Sequence, residues 1–296
     1  MLHGTSLLPG LSLIVTLFLA APGLQAQSLV PAGQFVWQPD QPHFGGLSGL
    51  IISDGGGGIQ AISDRGTLFR ARILRDATGQ IREIVDLQDH PLLDAEGNLP
   101  APFLENAEAM AGDGADGLFI AYEGWARVWH YAAPGDLPTW THGWDRFWDM
   151  IGNHGFEALA RDAAGVLYAM SEQEQDGRFP VWRYDGTVWL DAFTLPARDG
   201  FLISGADFGP DGALYVVERR FRFLSGFDTR IRRYQIGPDG VREEALLLDS
   251  RGGELGNAEG LSVWVRADGT LHLSLISDDN FSILQTTRIS EFIVPD

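Results

Sequence analysis

Gly45-Gly46-Leu47-Ser48-Gly49-Leu50, followed past a glycine-rich turn by Ile59-Gln60-Ala61-Ile62-Ser63-Asp64, is the stretch that decides the fold. A short strand leads through a turn into a β-rich strand that ends in an acid, and the same pattern returns along the chain. Asn106-Ala107-Glu108-Ala109-Met110 precedes Leu118-Phe119-Ile120-Ala121-Tyr122-Glu123, and Gly155-Phe156-Glu157-Ala158-Leu159 precedes Val166 to Glu172. Gly205-Ala206-Asp207-Phe208 precedes Ala213 to Glu218, and Asn257-Ala258-Glu259-Gly260-Leu261 precedes Leu271 to Asp278.

Turn chemistry sits between the paired runs: Asp116-Gly117, Ala164-Gly165, Asp211-Gly212 and Asp268-Gly269. Asp-Gly is a strong hairpin signal because glycine supplies a positive φ. Third strands follow with polar alternation, as in Leu68 to Ile73 and Arg230 to Tyr234. A period of about 40–50 residues with four strands is the mark of propeller blades. The expectation is an all-β propeller of five four-stranded blades, with few helices. Six blades is the alternative, because Gln34-Phe35-Val36-Trp37 and Phe292-Ile293-Val294 are left over. Those two runs suit a ring closed by pairing the chain's ends in one blade, which removes a sheet edge. A β-sandwich would not repeat the opening motif.

Composition narrows the function. The 296-residue chain has no cysteine, which excludes disulfides, thiolate nucleophiles and Cys-ligated zinc. Its formal net charge is −19, a surface that repels nucleic acid and anionic lipid. Every lysine-or-arginine position is arginine, so lysine Schiff bases are excluded while bidentate grip on phosphate or carboxylate remains. Leu11 to Ala21 is a short apolar run followed by Leu24-Gln25-Ala26, which reads as a signal peptide over residues 1–26 cut after Ala26. The basic region before it is sparse, which keeps an uncleaved anchor as the alternative. Residues 27–296 are then one propeller domain, periplasmic or secreted, with no membrane span.

The chemistry is expected on one rim of the channel. Antiparallel pairing predicts that Glu108 faces Glu123, Glu157 faces Glu172, Glu259 faces Asp278, Asp207 faces Glu218 and Ser48 faces Asp64. Three readings compete for this acid ring. Glu108, Glu157, Asp207 and Glu259, with Asn106 and Asn257, offer the oxygens a hard divalent cation such as calcium wants. A carboxylate whose pKa is raised by its neighbours can do acid–base chemistry directly. Or the acids simply pair with arginines: Arg65 and Arg219 follow second-strand acids, and Arg127 stands close after Glu123. Those arginines either hold an anionic substrate group or balance the rim's charge. His154, directly before Gly155-Phe156-Glu157, is a candidate general base, as is His43. Trp140, Trp144, Phe147 and Trp148 read as packing in an outer strand or blade-connecting loop. Gly46-Leu47-Ser48-Gly49 is not a nucleophile elbow, and Gly112 to Gly117 fits Gly-x-Gly-x-x-Gly but leads into a strand, not a helix.

With those residues in view, the chain resembles the phytase-like family described as having esterase-like activity of phytase, over about residues 43 to 290. Gly45 to Leu50 with Ala61-Ile62-Ser63-Asp64-Arg65-Gly66, and the Asn106 and Asn257 motifs, carry the resemblance. It implies an exported bacterial hydrolase acting on a small-molecule ester or phosphoester. The residues alone leave a second class open, a non-catalytic propeller that binds a ligand or protein partner. Lack of lysine argues against phytate itself as substrate.

Overall fold

The structure is a computed structural model, and it describes residues 1, 28–112, 117–152 and 154–295. The expected leader, apart from Met1, and Asp116 of the first Asp-Gly turn lie outside the described residues.

Among the described residues, twenty strands form five four-stranded antiparallel sheets, with two short 3-10 turns besides. The first, β1 (Val30–Val36), is set aside by the chain for the last blade. Blade 1 is β2 (Leu47–Ser53), β3 (Gly58–Ser63), β4 (Thr67–Arg75) and β5 (Ile81–Pro91). Blade 2 is β6 (Ala107–Ala111), β7 (Leu118–Tyr122), β8 (Arg127–Tyr131) and the two-residue β9 (Thr139–Trp140). Blade 3 is β10 (Phe156–Arg161), β11 (Leu167–Ser171), β12 (Arg178–Tyr184) and β13 (Trp189–Pro196). Blade 4 is β14 (Leu202–Phe208), β15 (Leu214–Arg222), β16 (Gly226–Gly237) and β17 (Gly240–Ser250). Blade 5 joins β18 (Asn257–Val265), β19 (Leu271–Asp278) and β20 (Arg288–Ile293) to β1, so the ends of the ring meet in one sheet. Five blades are therefore observed, and the two leftover runs close the ring.

Each sheet has two faces to cover, and the core accordingly splits into five apolar layers, one between each pair of adjacent blades. Ile62 and Leu68 of blade 1 meet Ile120 and Trp129 of blade 2, and Ile276 and Ile289 of blade 5 meet Ile59 and Phe69 of blade 1. The innermost strands β2, β6, β10, β14 and β18 neighbour one another in turn around the axis. Trp140 belongs to β9 and Trp144 to a 3-10 turn in the connection to blade 3, where both pack edge-on or tilted against Trp125 and one another.

One irregularity recurs and positions the site. Each inner strand breaks register after its first residues: between Leu47 and Gly49, Ala107 and Ala109, Phe156 and Ala158, Ile203 and Gly205, and Ala258 and Gly260. The unpaired residue of each β-bulge is Ser48, Glu108, Glu157, Ser204 or Glu259. A bulge re-aims the side chain of the extra residue and twists the strand locally. Five equivalent side chains are thus presented at one level of the channel.

Candidate acidic site at the channel mouth

The bulges set the first tier of the site. In blades 1 and 4 the bulged residue is serine, and each hydroxyl donates to the backbone carbonyl just before the next blade's bulged glutamate. Ser48 Oγ lies 2.6 Å from Ala107 O, and Ser204 Oγ 2.9 Å from Ala258 O. The three glutamates, Glu108, Glu157 and Glu259, are left to face the channel.

The second tier comes from the second-strand residue that follows the partner of the residue just before each bulge. Ser63, Tyr122, Ser171, Glu218 and Ser277 pair with the residues before the bulges, so the next positions are Asp64, Glu123, Glu172, Arg219 and Asp278. Four are acids and the fifth is arginine. Arg219 reaches inward from blade 4: it pairs with Glu259, donates to Asn257 Oδ1 at 2.8 Å, and lies 3.8 Å from Glu157. Asn257 in turn donates to Glu259 at 2.7 Å and to Asp278 at 3.4 Å, and Asn106 donates to Glu123 at 2.6 Å. Glu123, Glu157 and Glu172 each bring a carboxylate oxygen within 4.8 Å of the others, forming an acidic triad with the geometry to hold a metal ion.

Crowding so many acids in a partly dry channel raises their pKa values. Burial, then Glu259, raises Glu108 well above the usual carboxylate range, and burial, then Glu108, does the same to Glu157. Burial raises Glu123, opposed by its hydrogen bond with Glu157, and raises Glu172 and Glu259, opposed by Arg219. At the outer edge, burial and then Asp278 push Asp64 up to about 6, and burial and then Glu259 push Asp278 up to about 7. Burial works against the charge on Arg219, but Glu259 and Glu157 outweigh it and hold the guanidinium more firmly protonated.

The pairings expected from the sequence are corrected by one residue. Because of the bulges, the backbones of Glu123 and Asp278 oppose Asn106 and Asn257, not Glu108 and Glu259. Asp207 pairs with Tyr215, not Glu218. It sits at the far end of β14, accepts from Val263 N at 2.8 Å, and lines a cavity at the opposite mouth with Arg161 and Ser262. It cannot join Glu108, Glu157 and Glu259 around one ion. Glu218 instead pairs with Arg232 inside blade 4. Arg219 pairs with Glu259 and stands close to Glu157, as the reading in which arginines pair with the acids expects. Arg65 is exposed and stacks its guanidinium over Phe281, 3.4 Å from the ring centroid. Arg127 turns away from the rim, donating to Trp125 O at 3.0 Å and stacking over Tyr122. His154 is exposed and hydrogen-bonds Gln173 at 2.5 Å through Nδ1, beside the triad but not within it. Missed altogether were Ser204 and the second-tier equivalence of Arg219 with the four acids. The signal for the first was present: Leu202-Ile203-Ser204-Gly205 repeats Gly46-Leu47-Ser48-Gly49 in outline.

Residues 42–281 match the phytase-like family described by esterase-like activity of phytase. No curated protein matches the sequence. An α-L-arabinofuranosidase from Podospora anserina in complex with cellotriose superposes at TM-score 0.52 and 10% identity, over 92% of this chain and 98% of that one. A PQQ-bound aldose sugar dehydrogenase from Streptomyces coelicolor gives TM-score 0.46 at 13% identity, over 89% and 99%. At these identities the likeness is one of fold. No helix among the described residues is long and apolar enough to cross a membrane.

Proposed function

Since this chain belongs to the phytase-like family, described by esterase-like activity of phytase, we propose that it is an exported hydrolase that cleaves an ester or phosphoester at its acidic channel mouth with a bound divalent cation, calcium, in support. The observation that carries the reading is the convergence of Glu123, Glu157 and Glu172 within 4.8 Å. The donors are all carboxylate oxygens, the set a hard cation prefers. Asn106 donates to Glu123, Glu108 lies near Glu157, and Arg219 links Glu157 to Glu259 and Asn257, its one positive charge set against three bulge glutamates and four rim acids. A bound cation would supply Lewis acidity at the scissile group.

The chain's own residues account for the rest. Hydrolysis adds one water across the bond to the leaving oxygen and must move a proton from that water to the departing alcohol. Asp64 and Asp278, titrating near 6 and 7, are poised to take up and return a proton near neutral pH. Arg219, fixed by Glu259 and Asn257, presents a permanent charge beside Glu259 and Glu157.

The test is a melting curve with and without chelator, together with hydrolysis of p-nitrophenyl esters and p-nitrophenyl phosphate. Calcium binds only the native rim and should raise the melting temperature; Glu157→Gln should abolish both this response and turnover. If melting ignores both chelator and added calcium and no ester is turned over, the rim is an ion-pair network in a ligand-binding propeller. Export through residues 1–26 is checked by N-terminal sequencing of protein from the native host, where an intact Met1 in the membrane fraction would mark an anchor.

A further inference from the structure

Next to the acid centre, between blades 4 and 5, the same rim opens into a cavity of about 270 Å³. Apolar side chains face one another across it. Phe221 and Phe227 stand on one side with ring centroids 5.2 Å apart, and Leu284, in the loop between β19 and β20, stands on the other. Gly226 and Gly253 line it as well, both at a positive φ that favours glycine. Its polar lining is Asn257 and Asp278, both members of the acidic site, together with Ser277, Gln285, Thr286 and Arg288, and the Arg219 guanidinium lies 5.9 Å from the Phe227 centroid. The cavity and the candidate catalytic centre are therefore continuous. Phe221 is 62% exposed and Leu284 89% exposed, so the lip of this cavity presents large apolar groups to solvent. Apolar side chains gathered at a concave mouth with a few convergent polar groups are the usual form of a small-molecule site.

We propose that this pocket seats the apolar acyl part of an uncharged carboxylic ester, with the ester group held at Asn257, Asp278 and Arg219. The proposal rests on the hydrolase reading and narrows it. A highly charged phosphate ester would meet the seven carboxylates of the two tiers, offset only in part by Arg219 among them, Arg65 beside Asp64 and Arg288 in the cavity wall. A neutral ester meets no such repulsion, and its chain removes the exposed lip from water.

The experiment uses the full chain with calcium. Hydrolysis of p-nitrophenyl acetate, butyrate and hexanoate is compared in the wild type, Phe221→Ala and Leu284→Glu, and Nile red fluorescence reports apolar binding without turnover. Each buried methylene stabilises by about 0.8 kcal/mol, so kcat/KM should rise at least about tenfold from acetate to hexanoate. Both variants should pull that ratio toward one and weaken Nile red binding while melting like the wild type. Hexanol should displace the dye. If dye binds and both variants lose it but no ester is hydrolysed, the pocket stands and the hydrolase reading falls. Hydrolysis indifferent to acyl length, dye binding unchanged in both variants, or no dye binding to the wild type overturns the proposal.

Discussion

Arg219 occupies the position where the other four blades place Asp64, Glu123, Glu172 and Asp278, and this one exchange organises the site. Removing one partner of a buried ion pair leaves an uncompensated charge, at a cost of about 3–5 kcal/mol. Arg219→Met should therefore destabilise the protein strongly, and the loss should depend on pH. The acids around it already have folded-state pKa values above their unfolded ones, chiefly through burial. Groups of that kind contribute full stability below the unfolded value, about pH 4, and lose it as pH rises through the folded value. For Asp64 and Asp278 that loss ends near pH 6 and 7. The metal-free wild type should thus unfold at lower urea at pH 8 than at pH 5, calcium should narrow the gap, and Arg219→Met should widen it. Equal losses in the variant at both pH values would show that Arg219 offsets no carboxylate charge.

At the scale of the strand, the site is the product of five bulges. Gly205 follows the bulged Ser204, and a Cβ there would stand 2.1 Å from the Glu259 carbonyl oxygen, against backbone that cannot step aside. Overpacking of this kind costs about 1–3 kcal/mol, so Gly205→Ala should lower the urea midpoint and also weaken the calcium response by moving Glu259. Gly212, in the β14–β15 turn, has nothing within 4 Å of a Cβ, and only its φ of 77° opposes alanine. If Gly212→Ala costs as much and shifts the calcium response equally, the close approach of blades 4 and 5 is not what fixes the rim. The same bulges explain what could be read in advance. Hydrophobic alternation and Asp-Gly turns place the strands, because both are local signals, and Glu108, Glu157 and Glu259 were legible as inward-facing. A bulge inserts one residue, and a slip of one residue sends side chains to the other face. Nothing in composition or periodicity marks that insertion, so the facing pairs were displaced by one. In blade 4 the displacement compounds: with no acid at the bulge, the repeated motif points to Gly205-Ala206-Asp207, and the second-strand acid that matches it, Glu218, stands one residue before Arg219.

For the ring as a whole, stability depends on how the circle is closed. β1 is the outermost strand of blade 5 and pairs along β20 from Val30 with Ile293 to Val36 with Arg288. Its flanks are anchored as well: Leu29 is 5% exposed and donates to Leu247 O in blade 4, and Trp37 is 3% exposed and donates to Thr287 O. Leu29 belongs to the layer between blades 4 and 5, and Trp37 to the layer between blades 5 and 1. Truncating a buried leucine costs about 2–5 kcal/mol and a buried tryptophan about 3–5, together comparable with the 5–15 kcal/mol by which a whole domain is typically stable. A chain beginning at residue 38 would lose both anchors and every β1–β20 hydrogen bond, and would leave β20 as an open edge that can pair with another molecule. That chain should show no cooperative melting transition and should elute as aggregate in size-exclusion chromatography. A chain beginning at residue 27, which keeps β1 and its anchors, should melt as the full-length protein does. Cooperative melting of the shorter chain at an unchanged temperature would mean that the inner strands and the five apolar layers hold the circle without its closing strand. The acid tiers at the axis would then depend only on the bulges and on Arg219 among them.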